Sequence, residues 1–464
     1  MSTLAAALLL LLQSDPKDRL FEAIRETNVE ETQKALADLA LGDGARAARA
    51  VMAALPRARE RLNTLIAVTQ RARENYVQAD TSFGFNINEE TVKQKALERA
   101  AARIKETAAR ALEGEKVYQS ILDIFGFLKP EAVPVMAGEA ERTALWPLKC
   151  EILEGLGALG TKEAMQSLAV VIDRESSPAP LAAALRAVSS EEASKYLGHA
   201  QWQVRLAALE ALRRSRASVG PIVDAMGQAD FRFRKQATRT LIGLTETELP
   251  PDAGAWRDWW TANRDDFTAG TYSARAARRP DGPGRTVAFY DIPVHSSRVC
   301  FVIDRSKSMR AEERFDHARS ELKRLLDSMP DGSLVNIIFF GWTQNCFSRA
   351  PRVLNAETRR ELEVFMERCG FESGTDLYGA LEKALTMVGN PDTGRLHEEG
   401  VDTIVVLSDG QATVGRIIDD DLLAWVLARR SRYLRPVFNT ISLASDSKSL
   451  RLLAERTGGE YRAK

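Results

Sequence analysis

The chain has 464 residues, of which 45% are hydrophobic and 28% charged, a composition typical of a folded protein of about two to four domains. Its 64 Lys and Arg residues are balanced by 64 Asp and Glu residues. Because nucleic-acid binders need an excess of positive charge to neutralise phosphates, this balance argues against a general nucleic-acid-binding protein.

Common catalytic signatures are missing from the sequence. The four cysteines form no C-x-x-C pair, and the four histidines form no H-E-x-x-H motif. Neither a G-x-x-x-x-G-K phosphate loop nor a G-x-S-x-G nucleophile elbow occurs. We therefore expect a protein that is not an enzyme.

Residues 1–17 contain an apolar core from Leu4 to Leu12, which is too short to span a bilayer but has the length of a secretory h-region. No basic residue precedes this core, and no A-x-A cleavage box follows it. We expect a signal peptide that exports the protein to the periplasm or cell surface. A cytoplasmic protein with a buried first helix, or a misassigned start codon, is the alternative. No other segment predicts a membrane span.

Residues 18–137 are helical in pattern. Residues 90–128 are rich in Ala, Glu, Lys and Arg and contain no Pro, which predicts one long helix. Its expected partner is the segment 57–79. The two segments predict a helical hairpin, since a longer coiled coil would need more sustained heptads.

Residues 138–267 contain weak internal repeats, in the segments 148–156, 181–188, 204–212 and 233–241. Each segment predicts one helix whose apolar face needs a stacked neighbour, so the region resembles short, degenerate HEAT-type repeats. A plain helical domain is the alternative. Trp256 and Trp260 are spaced to share one helix face and are expected to cap the last repeat. Residues 268–286 are rich in Gly, Pro and Arg and predict a linker.

Residues 287–464 alternate between apolar strand-like runs and amphipathic helices. Continuously apolar strands separated by helices predict a doubly wound, mostly parallel α/β sheet covered on both faces. The predicted fold is therefore multidomain, with an all-α N-terminal part followed by this α/β domain.

Hydroxyl and carboxylate side chains follow the ends of three predicted elements in this domain. Asp304 ends the run RVCFVID, and Ser306 and Ser308 follow at alternate positions, where an extended backbone would direct all three to one spot. Thr375 precedes a predicted helix, and Asp409 follows the strand TIVVLS. These are hard oxygen ligands of the kind that Mg²⁺ prefers. The simpler alternative is that they are helix caps and turn residues, with Thr375 or Asp376 capping the helix.

The pattern D-x-S-x-S, then a distant Thr and a distant Asp, resembles the metal-ion-dependent adhesion site of von Willebrand factor type A domains. The resemblance covers residues from about 298 to 461 and includes the surrounding SGTD and LSDG. It implies that Asp304, Ser306, Ser308, Thr375 and Asp409 bind Mg²⁺, with Mn²⁺ or Ca²⁺ as alternatives. It also implies that an exposed Asp or Glu of a protein partner completes the coordination.

The expected function is therefore metal-dependent protein binding, as an adhesion or scaffold protein, with the helical repeats as a second interaction surface. A Mg²⁺-dependent hydrolase and a structural assembly protein with a vestigial metal site are the alternatives. Loops beside the predicted site are candidates for partner contact, namely Trp342, Gln344 and Asn345, Phe371 and Glu372, and residues 411–416.

Overall fold

The computed structural model describes residues 15–81, 87–227, 231–273, 288–294, 296–391, 395–444 and 446–464. The described N-terminal part is all helical. Its α-helices are α1 Pro16–Glu26, α2 Val29–Leu41, α3 Gly44–Thr81, α4 Ile87–Asp123, α5 Val133–Arg142, α6 Trp146–Leu159, α7 Lys162–Arg174, α8 Pro178–Leu185, α9 Ser190–Ser194, α10 Trp202–Leu212, α11 Val219–Met226, α12 Phe231–Thr245 and α13 Ala253–Ala269.

The long helices α3 and α4 pack along each other as the predicted hairpin. Gly114 of α4 permits their close approach, because a Cβ at this position would lie 2.9 Å from Leu65 Cδ1 of α3. The short helices α1 and α2 pack against the same pair through Leu20, Ile24 and Leu36, all buried.

The four segments predicted to be equivalent lie in α6, α8, α10 and α12, and these helices contact one another in that order. The helices that alternate with them in sequence, α7, α9 and α11, pack beside them. Trp256 of α13 is fully buried, and the Trp260 ring rests on Gly220 of α11, so the aromatic stripe packs on the end of the stack. The assignment of these helices to HEAT-type repeats stays a prediction.

The C-terminal part is an α/β domain. Its elements are β1 Ala288–Phe289, β2 Ile292–Pro293, β3 Arg298–Asp304, α14 Arg314–Ser328, β4 Leu334–Phe340, β5 Gln344–Cys346, β6 Arg352–Val353, α15 Ala356–Glu367, α16 Leu377–Val388, β7 Gly389–Asn390, β8 Arg395–Leu396, β9 Thr403–Ser408, α17 Asp420–Ser431, β10 Val437–Ser442, α18 Lys448–Thr457 and β11 Tyr461–Ala463.

The main sheet has seven strands in the order β11-β10-β9-β3-β4-β5, with β6 also paired to β4. The strands from β11 to β4 are parallel, whereas β5 and β6 are antiparallel to β4. Helices α14 and α15 cover one face, and α16, α17 and α18 cover the other. The predicted fold class, an all-α part followed by a mostly parallel α/β sheet, is confirmed.

The two parts of the chain share one hydrophobic core. A continuous cluster of buried side chains runs from Leu20 in α1 to Leu453 in α18. The Trp146 ring of α6 also packs edge-on against Tyr433, with ring centroids 5.1 Å apart. A helical stack that merely preceded a linked domain would not produce this continuity, so the helical region is a structural layer of the α/β domain. The predicted linker lies largely in residues 274–287, outside the described residues.

Two further features are the N-terminus and the cysteines. Residues 1–14, which carry most of the predicted signal peptide, are outside the described part of the chain. No helix among the described residues is long and apolar enough to cross a membrane. The four cysteines are free thiols, so Cys346 and Cys369 are not paired.

Candidate metal centre

The carboxylates of the predicted site lie at the carboxyl ends of two adjacent parallel strands. Strands β3 and β9 are neighbours, and the chain runs from β3 to β4 on one side of this pair and from β9 to β10 on the other, with the connecting helices on opposite faces of the sheet. Asp304 is the last residue of β3, and Asp409 directly follows β9, whose Leu407 is paired with Ile303. Such a switch point opens a crevice outside the strand ends, where α/β sheets bind ligands.

Asp304 is fully buried beneath this crevice. One carboxylate oxygen accepts a hydrogen bond from the Ser306 backbone N–H (2.7 Å), and the other accepts one from the Ser408 hydroxyl (2.5 Å). Burial, with a smaller contribution from the charge of nearby Asp409, raises the pKa of Asp304 to about 6 against the lowering effect of these hydrogen bonds. Asp304 is therefore a buried acid with no cationic side chain in contact with it among the described residues.

The Ser306, Ser308 and Asp409 side chains form a chain of short contacts. The Ser306 and Ser308 hydroxyl oxygens are 2.9 Å apart, and the Ser308 hydroxyl donates to Asp409 Oδ1 at 2.9 Å. The extended backbone expected through Ser308 is wrong, because the chain enters a 3₁₀ helix, Lys307–Glu313, directly after Ser306. This turn, rather than alternation along a strand, brings the two hydroxyls together.

Thr375 lies in a loop attached to the Ser306 loop. Glu372, at the start of this loop, forms a parallel β-bridge with Ser306. The Thr375 N–H donates to Thr413 Oγ1 (2.9 Å), and the Thr413 N–H donates back to the Thr375 carbonyl (3.1 Å). The cap of α16 is Asp376, which accepts from the Gly379 N–H at 2.9 Å. Thr375 is therefore not needed as the helix cap.

Three residues near the site were not found from the sequence. Ser408, which donates to Asp304, stands within the LSDG motif, so that motif carried a signal for it. Arg314 lies with a guanidinium nitrogen 3.4 Å from Asp409 Oδ2. Arg73 of α3 donates to the Thr413 carbonyl from the helical region, 340 residues away in sequence. Nothing in the sequence around Arg314 or Arg73 points to these contacts.

Of the loop side chains expected to contact a partner, some are exposed and others are held in contacts within the domain. Trp342 is 50% exposed beside the site. Glu372, in contrast, pairs with Arg305 at 2.8 Å, and the Phe371 ring packs on Phe315 with centroids 5.2 Å apart. Gln344 donates to Asp376 at 2.7 Å. Side chains still exposed around the crevice include Trp342, Asn345, Gln411 and Arg416.

The side chains fit a small divalent cation. Neighbouring ligands in an Mg²⁺ octahedron, at about 2.0–2.1 Å from the ion, lie about 3.0 Å apart. The two oxygen–oxygen distances at Ser308, both hydrogen bonds of 2.9 Å, are close to this value. In the part of the chain that the structure covers, no group of three or more His, Cys, Asp or Glu side chains is placed to hold a metal. The cluster relies instead on hydroxyls and two carboxylates. That these residues bind a metal stays a prediction.

The fold and the cluster define a class: a doubly wound α/β domain with hard oxygen donors at the strand switch point. Residues 297–463 match the family model of the von Willebrand factor type A domain. This part of the chain is therefore a von Willebrand factor type A domain, preceded by a helical region. None of the curated proteins matches the sequence.

Several solved structures are similar to this domain. A von Willebrand factor type A protein from Catenulispora acidiphila is 17% identical over 37% of this chain and 40% of its own, with a TM-score of 0.31. The ArnB paralogue VWA2 from Sulfolobus acidocaldarius is 21% identical over 36% and 41%, with a TM-score of 0.26. Proximal thread matrix protein 1 from the mussel byssus, solved with a zinc-occupied MIDAS motif, is 15% identical over 37% and 43%, with a TM-score of 0.29. The chain thus spans less than half the length of each.

Proposed function

We propose that the protein binds other proteins through a divalent cation held at the switch point of its C-terminal domain. The observation that carries the proposal is the chain of 2.9 Å contacts joining Ser306, Ser308 and Asp409 above a buried Asp304. Von Willebrand factor type A domains are in general interaction modules rather than enzymes, which agrees with this role.

In this proposal each residue has a defined part. The hydroxyls of Ser306, Ser308 and Thr375 and the carboxylate of Asp409 hold the ion. Asp304, whose two oxygens already accept hydrogen bonds, supplies charge and orients Ser306 through its backbone N–H. The bound cation supplies an electrostatic attraction for an acidic side chain of the partner.

The number of donors favours Mg²⁺ over Ca²⁺. Ca²⁺ takes about six to eight oxygen ligands, whereas Mg²⁺ keeps several waters and needs only a few protein oxygens, as this cluster provides. We expect the full chain to bind Mg²⁺ more tightly than Ca²⁺ in calorimetric titrations.

In this proposal, residues at the rim of the crevice select the partner. Trp342 is half exposed and packs over the Gly374 backbone, which holds its ring in place. Exposed tryptophans at such positions anchor interfaces. We expect Trp342→Ala to weaken partner binding while leaving Mg²⁺ affinity unchanged.

The helical region offers a second surface in this proposal. Leu41 and Phe127 are 77% and 74% exposed. Lys129, two residues after Phe127, donates to the Leu41 carbonyl at 2.7 Å and so joins the two segments. Exposed large apolar side chains of the helical region are candidates for protein contact.

The test uses the full chain in two stages. Calorimetry with Mg²⁺ compares the wild type with Asp304→Ala and Ser306→Ala, and the exposed Ser320→Ala serves as control. A partner is then captured in Mg²⁺ and in EDTA and identified. The proposal requires one ion per chain, lost in both site variants, and a partner retained only with Mg²⁺. Wild-type binding of the partner that is equal in EDTA would overturn it.

Export by the N-terminal segment is a separate proposal. It rests on the apolar core at Leu4–Leu12, and cell fractionation with N-terminal sequencing of the mature chain tests it.

A further inference from the structure

A second crevice lies between the helical region and the C-terminal domain. It has a volume of about 680 Å³ and is lined by α12 on one side and by α17 and α18 on the other. Its floor includes Thr403 and Val437, the first residues of β9 and β10. It therefore opens at the amino ends of the strands, on the opposite edge of the sheet from the candidate metal centre.

The walls of this crevice carry an excess of positive charge. Eight arginine and lysine side chains line it, against three glutamates. Two acids outside the lining, Glu154 and Asp402, also pair with these cations, but the excess remains because acids are shared. Glu154 pairs with both Arg186 and Arg432. Glu210 pairs with both Arg186 and Arg435. Several positive charges brought together in a partly enclosed space repel one another, so the crevice attracts anions.

Arg435, in the loop between α17 and β10, is a largely buried cation of this crevice and is only partly neutralised. One guanidinium nitrogen bonds Glu210, but the other, Nη1, is buried without a hydrogen-bond partner. Burial and the charges of Arg186 and Arg232 lower the pKa of Arg435 to about 10. Arg435 also has a φ of 56°, a strained conformation for a non-glycine residue. Its carbonyl accepts from Arg232 at 2.5 Å, which holds this conformation.

Two of the eight cations lie at the mouth of the crevice. Arg239 of α12 and Arg456 of α18 are exposed, and neither forms an ion pair with any residue in the described part of the chain. The Arg456 guanidinium lies 3.9 Å from the centre of the Trp425 ring, so it is held at the rim. These two side chains are free to meet a ligand entering from solvent.

We propose that this crevice binds a small anion carrying two or more phosphate groups. Arg forks match phosphate oxygens in geometry and charge, and the unpaired Nη1 of Arg435 gives such a ligand a buried donor. The volume is in the range of small-molecule sites. The site is separate from the metal centre and does not depend on its function.

The probe is inorganic pyrophosphate, added to the full chain in buffer with EDTA so that no divalent cation contributes. Binding is measured by calorimetry and by the change in Tm, with NaCl at matched ionic strength as reference. We expect saturable binding of one pyrophosphate per chain and a rise in Tm of a few degrees. Arg239→Gln with Arg456→Gln should weaken binding at least tenfold without changing the Tm of the free protein.

Two controls distinguish binding in this crevice from non-specific attraction of the anion to surface charge. Arg257→Gln with Arg368→Gln removes the same charge from exposed positions outside the crevice and should leave binding unchanged. Asp304→Ala, which disables the candidate metal centre, should also leave it unchanged. A Tm change equal to that of NaCl, or equal affinity in the crevice variant, would overturn the proposal. Binding of a glutamate-rich peptide but not of pyrophosphate would overturn it in favour of an acidic protein segment.

Discussion

At the scale of single residues, the candidate site is governed by one buried charge. Asp304 is fully buried and accepts two hydrogen bonds, but no cationic side chain contacts it among the described residues. Of the two site carboxylates, Arg314 reaches Asp409 and not Asp304, and it also pairs with Glu312 at 3.1 Å. The ionised carboxylate destabilises the folded protein when no counter-ion is near and stabilises it when a cation is bound. Protonation of Asp304 should therefore accompany loss of the metal.

The stability of the metal-free protein should fall with pH because of Asp304. Its pKa is about 6 when folded and 3.8 as the unperturbed value, so its favourable contribution is complete below pH 3.8 and is lost as pH rises through 6. The loss is on the order of 3 kcal/mol. In EDTA, we expect Asp304→Asn to be more stable than the wild type at pH 7, with a difference that vanishes near pH 4, measured by urea unfolding.

The exposed Asp265→Asn is the control for this prediction and should match the wild type at each pH. Mg²⁺ should stabilise the wild type and leave Asp304→Asn unaffected. Equal pH profiles of the wild type and Asp304→Asn in EDTA would show that the buried carboxylate is compensated by other groups.

Arg314 should oppose metal binding. Its guanidinium contacts Asp409, so an incoming cation meets a like charge and must compete for the carboxylate. We expect Arg314→Gln to bind Mg²⁺ about threefold to tenfold more tightly in calorimetry. Arg319→Gln, which loses a pairing with Asp316 instead, is the control. Weaker binding in Arg314→Gln would mean that the arginine positions Asp409 for the ion.

At the scale of elements, the helix α3 of the helical region supports the loops of the candidate site. Arg73, buried on α3, donates to the Thr413 carbonyl, and Thr413 exchanges two hydrogen bonds with Thr375. Gly415 completes this packing, with a φ of 98° and a site for Cβ only 1.9 Å from Asp376 Oδ1, so no larger residue fits. The helical hairpin is thus joined to the loop that carries a predicted ligand.

Removing this support should weaken metal binding. A hydrogen bond from a charged group is worth about 1.5–3 kcal/mol, and part of that free energy orders the loop of Thr375. We expect Arg73→Ala to bind Mg²⁺ about threefold to tenfold less tightly, and Arg73→Lys to recover part of the loss. The neighbouring Arg71→Ala, exposed on the same helix, should bind normally. If Arg73→Ala binds Mg²⁺ with unchanged affinity, the Arg73 contact joins the two parts of the chain but does not support the metal site.

At the scale of the whole molecule, the helical region and the von Willebrand factor type A domain behave as one packed unit. Besides the continuous core, partly buried ion pairs cross the interface, including Glu115 with Arg429 at 3.0 Å and Lys235 with Glu460 at 2.9 Å. Gln203 of α10 also donates to the Tyr433 carbonyl at 3.0 Å. We therefore expect cooperative unfolding of the two parts.

Breaking one interface pair should destabilise both parts together. Glu210→Gln leaves Arg435 without its acid and is expected to cost about 1–3 kcal/mol. Tryptophan fluorescence and far-UV circular dichroism should report one coincident transition, shifted by the same amount in this variant. The exposed Glu141→Gln should leave the transition in place. Two separate transitions, with only one of them shifted, would contradict the single packed unit.

The sequence by itself determined the local features of this protein. Apolar periodicity predicted the hairpin and the alternation of strands and helices, because burial imposes these periods on any chain that folds this way. The order of Asp304, Ser306, Ser308, Thr375 and Asp409 predicted where the strand ends carry oxygen donors. Even so, the backbone that brings Ser308 to Ser306 was predicted incorrectly, since a 3₁₀ turn and an extended strand can place side chains on the same side.

Only the tertiary structure decided how the two parts of the chain act on each other. The contact of Arg73 with Thr413 spans 340 residues, and the cations of the second crevice come from α12, α17, α18 and the loops that follow α8 and α17. No local pattern encodes such pairs, because a polar side chain on a helix surface has the same sequence signature whether it faces solvent or a distant loop. What it faces depends on the packing of the complete chain.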